Sequence, residues 1–165
     1  MRLFIASPVT LNDYDRLQER FSPFLSGKWV ERENLHLTWK FLGKVTAEQL
    51  DDTIEKVRRI PLLEKEIPLT VLGSFGRPPR LFYATTPNPL LRKKAVDMQH
   101  IGWDMDLKRF HPHVTLCRIK LLKERERFRQ KMQEYRNRTI GTIHPQIHLY
   151  RSEQGKRGPI YTILA

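Results

Sequence analysis

Cysteine is almost missing: Cys117 is the only one in 165 residues. A disulfide within the chain is therefore impossible, and a thiol-built metal centre is excluded with it. Cys117 lies in a strand-like run, where packing is its expected role. Long apolar runs are lacking too. Nothing approaches the roughly 20 residues that a membrane-spanning helix needs. The opening Met1-Arg2-Leu3-Phe4-Ile5-Ala6-Ser7-Pro8 is too short an apolar stretch for a secretory signal. The expectation is a cytoplasmic protein in a reducing compartment, with no membrane contact. Negative charge is scarce: 18 acidic residues face 30 basic ones, for a net charge of +12. Such an excess attracts polyanions, nucleic acid above all, although solubility or heat adaptation would also account for it.

What is present suffices for a core. The 39% hydrophobic and 10% aromatic content indicates a folded chain. The length fits one domain over residues 1–165 that needs neither disulfide nor metal to hold it. The most informative stretch is Asn34-Leu35-His36-Leu37-Thr38-Trp39-Lys40-Phe41-Leu42-Gly43. Its alternation predicts a half-buried strand, with Leu35, Leu37, Trp39 and Phe41 toward a core and His36, Thr38 and Lys40 on the open face. A second His/Thr stretch, His113-Val114-Thr115-Leu116, follows later.

In chain order, the pattern predicts a strand over 2–7 and a helix over 11–21 carrying Leu11, Tyr14, Leu17 and Phe21 on one side. A short strand at Trp29-Val30 leads to the His36 strand. Thr46-Ala47-Glu48-Gln49 has capping-box spacing and opens a helix with Leu50, Ile54 and Val57 inward. A strand over 67–72 follows, with Pro68 marking an edge or a strand start. Residues 73–80 form a Gly/Pro-rich loop, read as a hinge between halves or a binding rim. Then come a strand over 81–86, a helix from Asn88-Pro89 to about Ile101, and the His113 strand over 108–119. A charged helix over 121–135 follows, with Leu121, Phe128, Met132 and Tyr135 as its stripe. Strands over 143–151 and 159–164 close the chain around a polar turn at 154–158. Element order over 2–72 is echoed over 81–151, which predicts two similar lobes related by a pseudo-twofold axis.

With 6 His and 11 Thr in the chain, one His-apolar-Thr-apolar tetrad is expected by chance about 0.06 times, and two roughly 0.002 times. A doubled tetrad therefore asks for a joint role. Imidazole titrates near neutrality, so one ring can act as a neutral base and the other as a charged acid. That pair suits in-line displacement at phosphorus: one His deprotonates the attacking water and the other protonates the leaving ribose oxygen. The Thr hydroxyls can hydrogen-bond the phosphate oxygens as charge develops. No metal or other cofactor is required. His111 shares a face with His113, but it has no companion ligand at suitable spacing. His100, His144 and His148 lack a motif and are read as ordinary residues. Phe75 and Tyr83 suit either base stacking or a core.

The paired tetrads resemble the HxTx motifs of the 2H phosphoesterase superfamily, and within it the RNA 2′,3′-cyclic phosphodiesterase (2′–5′ RNA ligase-like) family. Leu3-Phe4-Ile5-Ala6 resembles that family's opening strand, and Ser152 with Gly158-Pro159-Ile160-Tyr161 its tail. The resemblance implies an α+β bilobal fold in which two pseudo-symmetric lobes, each an antiparallel sheet with outer helices, flank a central cleft. It implies hydrolysis of RNA 2′,3′-cyclic phosphate ends to 2′-phosphates, with reversible ATP-independent 2′–5′ joining in some members. It assigns His36 as proton donor, His113 as acceptor, Thr38 and Thr115 as phosphate holders and Arg118 as a substrate contact. Arg118 reaches the open face only if its strand bulges, since on a regular strand it falls beside Val114 and Leu116. Lys40, with the parity of His36 and Thr38, is a further candidate phosphate contact. The expected partner is RNA with a cyclic phosphate end; no obligate protein partner is expected, and the chain is expected to be a monomer. Two rivals remain: a non-catalytic RNA-binding module, and a phosphodiesterase acting on a small cyclic nucleotide or ADP-ribose cyclic phosphate.

Overall fold

The computed structural model describes residues 1–165. The chain runs β1 (Arg2–Leu11), α1 (Tyr14–Phe21), β2 (Leu25–Trp29), β3 (His36–Lys44), α2 (Ala47–Arg58), β4 (Ile67–Leu69), β5 (Val71–Phe75) and β6 (Leu81–Thr85). It continues through α3 (Leu90–Val96), β7 (Val114–Leu122), α4 (Arg125–Glu134), β8 (Gly141–Ile143), β9 (His148–Gly155) and β10 (Gly158–Ile163). Short 3₁₀ turns at Arg32–Asn34 and Leu107–Arg109 precede the two His/Thr strands. No helix is long and apolar enough to cross a membrane.

Two antiparallel sheets carry the fold. In the first, β1 lies between β3 on one side and β9 then β8 on the other. The change of neighbour falls around Pro8, which has no N–H to give: β9 pairs up to Ala6 and β8 begins opposite Val9. β3, β10 and β4 form the outer strands, and Pro68 sits in edge strand β4, where a missing donor costs nothing. The second sheet has the order β2-β7-β6-β5. Residues 73–80, read as a possible hinge, instead belong to the β5–β6 hairpin, with Phe75 paired to Leu81 across the turn.

The lobes are not consecutive halves of the chain. β8, β9 and β10 return to pair with β1, while β2 leaves the first half to pair with β7. One core of 33 buried hydrophobic residues runs through both lobes, from Leu3 and Ile5 to Phe82 and Val114. The helices close its outer faces. Tyr14, Leu17 and Phe21 of α1 are buried, and Phe21 packs on Phe82 with ring centroids 4.6 Å apart. α2 begins at the expected capping box: Gln49 N donates to Thr46 Oγ1, and Thr46 N donates to Gln49 Oε1. α4 starts later than its stripe suggested, because β7 continues through Leu122. Leu121 is therefore an exposed strand residue, and Phe128 is the buried anchor of α4.

Candidate active site

Both His/Thr strands carry a bulge at the same place. On β3, Ala6 pairs with Thr38 and Ile5 with Lys40, so Trp39 is an extra residue. On β7, Tyr83 pairs with Thr115 and Phe82 with Cys117, so Leu116 is the extra one. A bulge reverses the inside–outside alternation beyond it. His36 and Thr38, like His113 and Thr115, keep the expected open face. Beyond the bulges, Lys40 and Cys117 turn into the core while Phe41 and Arg118 turn out of it.

This corrects two sequence expectations. Phe41 was expected in the core but is 63% exposed. Lys40 was expected beside a phosphate but is 1% exposed. Its Nζ donates to the carbonyls of Ile101 at 2.6 Å, Met98 at 3.2 Å and Gln99 at 3.4 Å, with the Trp103 ring 5.4 Å away. All three ammonium donors are thereby used, and burial lowers the Lys40 pKa. Lys40 anchors the 98–103 segment to β3. Arg118 is displaced in the opposite sense, from the core side to the open face. The bulge brings it to the side of His113 and Thr115, where its charge adds to the burial that lowers the His113 pKa and partly opposes the burial that raises that of Tyr161.

The imidazoles are held alike. His36 Nδ1 lies 2.6 Å from the carbonyl of Asn34, and His113 Nδ1 lies 2.7 Å from that of His111. A carbonyl can only accept, so each Nδ1 carries the proton and donates it. In the neutral ring Nε2 then presents a lone pair. The Asn34 carbonyl ends the 3₁₀ turn before β3, and the His111 carbonyl belongs to the irregular segment before β7. β3 and β7 meet where the lobes join, and the Val30 N–H donates to Leu116 O at the bulge. Burial is the main cause lowering the His36 pKa, and the His113 charge lowers it further. His113 is lowered first by burial, then by His111 and Arg118.

Aromatic rings surround each His. Around His36 stand Phe4 and Tyr161, with centroids 5.1 and 5.2 Å away, and Tyr150 stacks on Phe4 at 5.1 Å. Around His113 stand Phe75 at 5.0 Å and Tyr83 at 5.7 Å, themselves stacked 4.3 Å apart. Phe75 and Tyr83 are thus site residues rather than core. Phe4 and Tyr150 pair across β1 and β9; Phe4 lay within the opening-strand likeness and Tyr161 within the tail likeness, whereas Tyr150 carried no motif signal. His148, read as ordinary, pairs with Ala6 and so shares the face of Thr38. No group of three or more His, Cys, Asp or Glu side chains is arranged to hold a metal ion. Cys117 is buried, and burial pushes its thiol up to about 11, so it is poorly suited to nucleophilic work.

The two His/Thr strands meet in a two-sheet α+β frame, and comparison with known proteins places that frame among the 2H phosphoesterases. The model of the family described as LigT-like phosphoesterase matches residues 6–83. The chain is 29% identical to the RNA 2′,3′-cyclic phosphodiesterase of Methanocaldococcus jannaschii, over 99% of this chain and 98% of that one. It is 31% identical to the Aeropyrum pernix protein of the same name, over 83% of each. The structure of E. coli LigT complexed with phosphate superposes with a TM-score of 0.71 at 23% identity, covering 99% of this chain and 94% of that one, and shows the common fold. The chain belongs to the LigT-like phosphoesterase family.

Proposed function

We propose that this protein hydrolyses 2′,3′-cyclic phosphate ends of RNA to 2′-phosphates by acid–base catalysis between His36 and His113. The observation that carries this reading is the matched pair of imidazoles, each with Nδ1 bound to a carbonyl and Nε2 free for a proton. Water attacks phosphorus and gives its proton to His113 Nε2. The bond from phosphorus to O3′ breaks, and protonated His36 gives its Nε2 proton to O3′, leaving a 2′-phosphate and a free 3′-hydroxyl. Both imidazoles carry the same balance, lowered by burial and raised in part by a carbonyl hydrogen bond, and His111 and Arg118 press His113 further toward the neutral form that a base needs. The division of roles follows the likeness of the two tetrads to the HxTx motifs. Thr38, Thr115 and Arg118 hydrogen-bond the phosphate oxygens. With a 5′-hydroxyl of a second RNA in place of water, the same proton transfers in the same direction join two ends through a 2′–5′ linkage, and their reversal cleaves it. The names of the relatives and the +12 charge support RNA over a small cyclic nucleotide.

The test is incubation of RNA bearing a 2′,3′-cyclic end with the protein, with and without a chelator, and assignment of the product phosphate. A 2′-phosphate formed at equal rates in both is expected. A 3′-phosphate, or turnover restored only by an added metal, overturns the mechanism; binding without turnover favours the RNA-binding rival.

A further inference from the structure

Three arginines converge far from the histidines. Arg16 and Arg20 of α1 and Arg138, just after α4, line a concave pocket of about 180 Å³ around the ring of Tyr135. Arg20 donates to the Tyr135 hydroxyl at 2.9 Å, and the Arg138 guanidinium lies 5.9 Å from the ring centroid. Three basic residues of α4 are paired with nearby glutamates: Arg127 with Glu124, Arg129 with Glu126, Lys131 with Glu134. Arg16, Arg20 and Arg138 form no ion pair. Asp13 on the rim and the nearby Glu134 offset only part of their charge.

The pocket lies behind the second sheet. Tyr135 packs on Phe21, and Phe21 packs on Phe82, whose neighbour Tyr83 faces His113 on the other side of β6. A ligand here therefore does not occupy the catalytic cleft. A phenol can accept one guanidinium hydrogen bond but cannot neutralise it, which leaves forked donors free toward the pocket. Such donors match the oxygens of a phosphate group.

We infer that Arg16, Arg20 and Arg138 form a phosphate-binding exosite that takes a backbone phosphate of the RNA whose end is processed in the cleft. The inference rests on the proposed RNA substrate, and it adds a second anchoring point that a mononucleotide cannot reach. An RNA chain running from the cleft around the second lobe gains affinity by this contact, because both phosphates belong to one molecule.

The test compares wild type with the Arg16→Gln/Arg20→Gln/Arg138→Gln variant and with Arg16→Gln alone, which leaves the Arg20–Tyr135 contact in place. Thermal unfolding checks that each is folded. Binding of a long oligoribonucleotide is measured against salt, turnover is measured on a nucleoside 2′,3′-cyclic phosphate, and inorganic phosphate is titrated by its effect on thermal stability. The expected result is weaker oligonucleotide binding, with the salt slope reduced by about 0.7 in the triple variant, for one phosphate of a single strand, and less in the single one, and unchanged turnover of the mononucleotide. If oligonucleotide binding is unchanged while phosphate stabilises the triple variant less than wild type, the site takes free phosphate and the RNA contact is overturned. If neither changes, the exosite does not exist. Absence of mononucleotide turnover in wild type itself would instead count against the catalytic reading, independently of the binding measurement.

Discussion

His36 and Lys40 lie on one strand, four residues apart, and their surroundings assign them opposite work. His36 stands half-buried with one nitrogen bound and one free; Lys40 has every donor occupied by a carbonyl. Replacing His36 or His113 by Ala should each cost on the order of a hundredfold to ten-thousandfold in rate. The double variant should be little worse than the worse single, since the two act as a unit. Initial rates on cyclic-phosphate RNA, with circular dichroism for folding, decide this; a folded single variant at wild-type rate would sink the two-histidine mechanism. The pH profile follows from the same environments. Both imidazoles are pushed below their ordinary value of about 6.5. The alkaline limb of kcat/KM, which reports the free enzyme, should therefore begin below that value. A bound phosphate anion favours the imidazolium, so the kcat profile should lie to higher pH. Identical profiles would show that the phosphate does not meet these rings. The same depressed pKa values link to stability. The unfolded chain binds protons first as pH falls, so their contribution is whole above about 6.5 and is lost as pH drops through the folded values. Melting temperature should fall less on acidification in His36→Ala than in wild type. Lys40→Met, by contrast, should cost at least about 2 kcal/mol of stability through its stranded carbonyls, while leaving KM unchanged. Wild-type stability with a raised KM would restore Lys40 as a phosphate contact.

The strands of this protein were largely legible from alternation, and their departures from alternation were not. Leu35, Leu37 and Trp39 read as core and are buried, with Trp39 Nε1 donating to Ser7 Oγ at 2.8 Å. Nothing local marks Trp39 or Leu116 as an extra residue, because a bulge is defined against the partner strand and the partner is distant in sequence. That is why Lys40 and Phe41 were assigned to the wrong faces and Arg118 could be placed only conditionally. The capping box of α2 was legible because its chemistry is contained within four residues. The bulges also make the two strands chemically unequal at matched positions: Phe41 on one side of the cleft, Arg118 on the other. If the β7 bulge delivers Arg118 to the phosphate, Arg118→Ala should lower kcat/KM by roughly ten- to a hundredfold, the worth of about 1.5–3 kcal/mol for a hydrogen bond to a charged group. Arg118→Lys should recover only part of the loss, since an ammonium cannot present the guanidinium fork. Full activity in Arg118→Ala would place that side chain away from the reacting phosphate.

At the scale of the whole molecule, the echo of element order suggested two lobes built from consecutive halves, whereas the sheets are interleaved. β1 holds β3 beside it and β8 and β9 from the far end of the chain, and β2 crosses to the sheet that contains β6 and β7. Sheet membership of this kind depends on pairings between residues far apart in sequence, from Trp29 with Cys117 to Arg2 with Ser152, which no local pattern encodes. It has an energetic consequence. A chain cut between β5 and β6 would leave β1 without β8, β9 and β10, and β2 without β7, so each half would expose unpaired backbone and apolar surface from the common core. Neither half should fold alone, and the lobes should unfold together. Trp29 lies on β2 of the second sheet and Trp39 is buried on β3 of the first, so each reports on one lobe. Two variants test this, each retaining one of these tryptophans with the other two replaced by Phe. Their fluorescence in a urea titration should give coincident midpoints after correction for each variant's own stability by circular dichroism, as a single cooperative unit requires. Separated fluorescence and dichroism transitions in either variant would show that the lobes are independent folding units, and that the continuous core does not bind them into one domain.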